Sequence, residues 1–90
     1  MCTYHTERVA LSGSGKGADG WFNLTAASVY YDHPVHALAD HAVNIDLMNP
    51  AMGAAARVAV ELDPGSARAL AEAILAAVRT AEDATRAPMA

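Results

Sequence analysis

The sequence predicts an α+β fold: a four-stranded antiparallel sheet in meander order, with one C-terminal α-helix packed on one face. Three observations predict it. Apolar and polar residues alternate with period two in four short segments. The period changes to a helical one after Asp63 and Pro64. The connections are short and carry the Gly, Pro, Asn and Asp that turns require.

The first strand, residues 3–12, places Val9 and Leu11 on one face, and the second, residues 26–33, does the same with Val29 and Tyr31. In the third, residues 41–48, Val43, Ile45 and Leu47 point inward, as do Val58, Val60 and Leu62 in the fourth, residues 56–62. SGSGKGADG, the turn around DHPVHALAD, and NPAMG connect them. Asp63 is a good helix N-cap, and Pro64 suits the first helical position. The helix is expected over residues 64–83, with Ala67, Leu70, Ala71, Ile74, Val78 and Ala81 as its apolar stripe and Arg68, Glu72, Arg79, Glu82 and Asp83 outside it. Residues 85–90 lose the pattern and are expected to fray. Residues 1–90 read as one domain.

A chain of 90 residues has a thin core. Domains of this size often add a disulfide, a metal or a second subunit. Cys2 is the single cysteine, which excludes an intrachain disulfide and fits a reducing compartment. The opening MCTYHTERVALSGSG lacks the pattern of a secretory signal, and no apolar run reaches the ~20 residues that span a bilayer. A cytoplasmic protein is expected. Six basic residues against ten acidic ones, with no basic cluster, argue against nucleic-acid binding. A homo-oligomer is expected as the partner state.

In a meander the start of strand one, the end of strand two and the start of strand three share one end of the sheet. That end gathers His5, His33, His36 and His41, together with Cys2. Neutral imidazole is the commonest transition-metal ligand, so a metal site, zinc foremost, is the functional expectation drawn from this cluster. Asp32 and Asp40 would orient the rings. The spacing matches no established metal signature, and histidines that merely pack and hydrogen-bond at the sheet end are the competing explanation. Cys2 reads either as a ligand or small buried apolar group, or as a terminal nucleophile near His5. SGSGKG is not a phosphate-binding loop, because Lys16 is followed by Gly17 and a strand rather than by Ser or Thr and a helix. No nucleotide cofactor is expected.

The sheet face away from the apolar side carries Tyr30, Asp32, Asp46 and Arg57, among other polar residues, which describes a small-ligand site, a solvated face or a homodimer seam. Three function classes follow. The first is a small metal-binding protein, with metal-assisted catalysis if a coordination position is open. The second is a homo-oligomeric small-molecule binder or cofactor-free enzyme using the polar face. The third is a dimeric structural or regulatory module.

Taken together, MCTYHTERVA, the SGSGKG turn, GWFNLT, the DHPVH segment and RVAVELDPGSARALAEAIL resemble a family of short, uncharacterised bacterial proteins typical of high-GC genomes and treated as a domain of unknown function. The similarity covers nearly all of the chain. It implies a stand-alone cytoplasmic protein and transfers no catalytic residue.

Overall fold

The computed structural model describes residues 5–32 and 41–86. Strands β1 (His5–Gly17), β2 (Gly20–Asp32), β3 (Ala42–Met48) and β4 (Arg57–Leu62) form one antiparallel sheet in the order β1-β2-β3-β4, and the helix α1 (Pro64–Arg86) follows. The α+β class and the meander order are as the alternation predicts. A 3₁₀ turn, Pro50–Met52, joins β3 to β4 and closes at Gly53, whose φ of 97° favours glycine.

The register aligns residues in rows across the strands. On one face Thr6, Tyr30, Asn44 and Glu61 form a row, beside Arg8, Ser28, Asp46 and Ala59. On the other face His5, Tyr31, Val43 and Leu62 are aligned, then Glu7, Val29, Ile45 and Val60, then Val9, Ala27, Leu47 and Val58. These are the polar and apolar faces that the period-two pattern assigns.

The first hairpin is longer than the alternation predicts. β1 runs through SGSGKG to Gly17, and β2 begins at Gly20, so the expected loop is two paired strands joined by a turn at Ala18 and Asp19. Glycine and serine carry no apolar alternation, yet their backbones pair equally well, which is why pattern alone ends the strand early. A register shift between Ala10 and Gly13 changes which residues face the polar side. Beyond it Gly13 and Gly15 stand opposite Leu24 and Phe22. A Cβ at Gly15 would lie 3.1 Å from Leu24 Cδ1, and one at Gly17 would lie 3.1 Å from Phe22 Cε1. The glycines thus leave the room into which these two side chains fold.

Such a bulge bends and twists its strand. The Cβ direction of Gly17 also meets the Arg57 carbonyl oxygen at 3.9 Å, so the hairpin tip curls across the polar face toward β4. Leu24, Ala42 and Asn44, three of the most buried residues, lie on this side, whereas Ala27 is buried on the other. The polar face is therefore the concave inside of a curled sheet, and not the flat solvated surface that the alternation suggests.

α1 is capped as its sequence predicts. The Ser66 N–H donates to Asp63 Oδ1 at 2.9 Å, the Ser66 hydroxyl donates to Oδ2 at 2.7 Å, and the Ala67 N–H donates to the Asp63 carbonyl at 2.9 Å. These bonds hold the Asp63 carboxyl below its usual pKa, the backbone bond from Ser66 being the largest cause. The helix continues to Arg86, so Thr85 and Arg86 are helical where fraying was expected. The Thr85 hydroxyl donates to the Ala81 carbonyl at 2.8 Å.

α1 contacts β3 and β4, but little of its surface is covered by them. Of α1's residues up to Thr85, Ala67 alone is half-buried and the rest are exposed. Leu70 and Val78 are each 43% exposed, Ile74 54% and Leu75 56%. One residue, Asp63, separates the end of β4 at Leu62 from the start of α1 at Pro64. The molecule is accordingly elongated, 55 × 31 × 20 Å with a radius of gyration of 15.5 Å. A compact chain of this length has about 12 Å.

Candidate functional site

The concave face holds a hydrogen-bonded cluster. Arg57 donates from Nε at 3.0 Å and from Nη2 at 2.8 Å, both to Asp46 Oδ1. The pair runs between adjacent strands, since Arg57 is opposite Met48 and Asp46 lies two residues before it. The Asp46 side chain is 14% exposed and that of Arg57 is 51% exposed, so water screens the pair from one side. Both the hydrogen bond and the charge of Asp46 raise the Arg57 pKa further.

Tyr30, on β2, completes the cluster. Burial first, then the Asp46 charge and a hydrogen bond to its carboxylate, raise the Tyr30 hydroxyl above its ordinary pKa of 10.0. Asp32 adds a smaller push in the same direction, while Arg57 opposes it. Beside Tyr30, Asn44 is buried at 4% exposure and donates from its side-chain nitrogen to the Ala42 carbonyl at 3.1 Å. The structure thus brings Tyr30, Asp46 and Arg57 into one network with Asp32 at its edge. These four are the residues that the alternation assigned to a ligand site on this face. Their hydrogen bonds satisfy one another, which makes the network a stiffener of the concave face as well as a polar surface.

The histidine end is only partly in view. His5 is opposite Tyr31 in the sheet register, and the His41 ring stacks on Tyr31 with centroids 5.4 Å apart and planes 23° from parallel. The meander therefore brings these two positions to one end. Cys2, His33, His36 and Asp40 lie outside the described residues. Among the described residues no group of three or more His, Cys, Asp or Glu is placed to hold a metal ion.

At the opposite end Lys16 stands across from Trp21 within the hairpin. It lies in a strand, with no helix following to make an anion site. Trp21 at 72% exposure and Met52 at 58% line a shallow depression with Asp19, Phe22 and Ala55.

Among the described residues, four of the eight exposed large apolar side chains are on α1. Leu70, Ile74, Leu75 and Val78 form a continuous strip, and Ala81 and Thr85 extend the same side of the helix. Leu75 is absent from the stripe that periodicity assigns, because it sits at the edge of the apolar arc. Its adjacency to Ile74 is the signal that marks it. Among the described residues no helix is long and apolar enough to cross a membrane.

One protein-family model, described as a family of unknown function, matches residues 1–87. No curated protein matches the chain. No solved structure matches it either.

Proposed function

The chain belongs to the family of unknown function DUF6295, and from its own geometry we propose that it works as a self-associating interaction module whose functional form is a homo-oligomer. The single observation that carries this reading is the strip of Leu70, Ile74, Leu75 and Val78, each between 43% and 56% exposed on a helix that its own sheet does not cover. An amphipathic helix gains most of its stability from packing its apolar face. Among the described residues nothing covers that strip, and a second copy of the chain is the surface we assign to it.

Surface area supports the same reading. The chain exposes 6755 Å², whereas a compact monomer of 9.3 kDa exposes about 5,000 Å². The excess reflects the elongated shape and leaves apolar surface for a partner to cover. The apolar sheet face is also short of cover: Val9 is 50% exposed and Tyr31 37%. Association that covers the helix and this convex face leaves the concave network of Tyr30, Asp46 and Arg57 directed inward in each copy.

Linkage tests the proposal. If folding and association are coupled, the melting temperature rises with protein concentration. We expect a clear rise between 1 and 100 µM, on the order of several degrees, followed by circular dichroism at 222 nm. A melting temperature independent of concentration, in a chain that stays at monomer mass throughout, removes the proposal.

A further inference from the structure

We propose that the helices of two copies pair antiparallel, centred near Leu75, so that Arg68 of each faces Glu82 of the other and Glu72 faces Arg79. This rests on the self-association reading and specifies its geometry. The argument begins with where the charges fall. On the described helix Arg68, Glu72, Arg79, Glu82 and Asp83 are all displaced to one flank of the apolar strip, while the other flank carries Ala77 and Ala84 and the far side Ala69, Ala73, Ala76 and Thr80. Among the described residues no ion pair joins these helix charges to one another.

Their order along the helix is self-complementary in one direction only. In an antiparallel pair centred near Leu75, position 68 lies opposite position 82 and position 72 opposite position 79, which sets each arginine against a glutamate. The same arrangement sets Ile74 beside Leu75 and Ala71 beside Val78, so apolar residues meet apolar ones along the strip. A parallel twofold pair would set this charged flank against the alanine-bearing flank of its partner, so no arginine would meet a glutamate. An antiparallel pair of identical helices is also related by a twofold axis, the commonest symmetry of homo-oligomers. Alanine along the flank lets the helices approach closely.

Charge reversal and rescue test the pairing in the full chain. Arg68 and Glu82 are about 21 Å apart along one helix, so a rescue between them cannot act within a single chain. Two Arg68–Glu82 pairs form per dimer. Arg68→Glu alone and Glu82→Arg alone should each raise the dissociation constant about 3- to 30-fold at low salt. The Arg68→Glu/Glu82→Arg double variant should return to within about threefold of the parent. A second measurement keeps the geometry falsifiable if reversal perturbs folding. In a Cys2→Ser background, Leu75→Cys should form an interchain disulfide under mild oxidation, whereas Ala69→Cys should not. A parent chain that associates while the double variant is no better than either single, and Leu75→Cys does not cross-link, overturns the antiparallel pairing and leaves self-association standing. A parent chain that is monomeric at every concentration overturns both.

Discussion

Ile74→Asp separates a helix that seeks a second chain from one that merely rests on its own sheet. Full burial of an isoleucine contributes about 1.5–3 kcal/mol, and Ile74 is 54% exposed in the single chain. The surface still to be buried on association is therefore worth about 1–1.5 kcal/mol per chain, or about 2–3 kcal/mol for two copies. That converts to a rise of about 30- to 150-fold in the dissociation constant. Burying a carboxylate in the strip adds to the loss, so this figure is a lower bound. Ala76→Asp is the matched control, because it makes the same charge change about 200° round the helix. Sedimentation equilibrium over the micromolar range gives the two constants, and circular dichroism at 222 nm reports whether α1 is intact. We expect Ile74→Asp to dissociate with its helix largely retained and Ala76→Asp to stay within a few-fold of the parent. An Ile74→Asp chain that associates as tightly as the parent would refute the reasoning. So would a parent that is already monomeric and merely loses thermal stability on substitution.

Three further outcomes follow from the described geometry. Gly15→Val drives a branched side chain into Leu24 and should destabilise the chain by about 1–3 kcal/mol, some 5–20 °C in melting temperature, whereas Gly13→Ala, with nothing within 4 Å of its Cβ, should change it little. The Asp63 carboxyl is held below its ordinary 3.8, so the stability it contributes is present above that value and is lost as the pH falls through the lower folded one. Helicity at 222 nm between pH 5 and 2 should show the loss in the parent, and Asp63→Asn, which caps without ionising, should flatten it. Tyr30 has its pKa raised above 10.0, so its contribution is complete below about pH 10 and is lost as the pH rises further. In absorbance at 295 nm one tyrosine should titrate late, and Asp46→Asn should bring its midpoint down.

The strand order, the two sheet faces and the capped helix were legible because each rests on a local signal: period two in β3 and β4, or Asp63, Pro64 and Ser66 at a helix start. The extent of the first hairpin was not. Its outer half pairs through Gly13, Ser14, Gly15 and Gly17, whose side chains carry no alternation, and the register shift after Ala10 is a backbone event that no residue type announces. The same shift curls the sheet, which is why Asn44, Ala42 and Leu24 on that face are buried. Tyr30, Asp46 and Arg57 were placed together correctly by counting along strands, since diagonal neighbours follow from register. The helix stripe was equally plain, but its partner was not. Periodicity shows that a face needs cover without saying whether the same chain or another provides it.

Mass in solution tests the central claim most directly. Multi-angle light scattering on the untagged chain, eluted at micromolar concentration and moderate salt, should give at least twice the chain mass of 9.3 kDa. A single species at the monomer mass under those conditions would contradict the claim that α1 finds its apolar partner in a second copy of the chain.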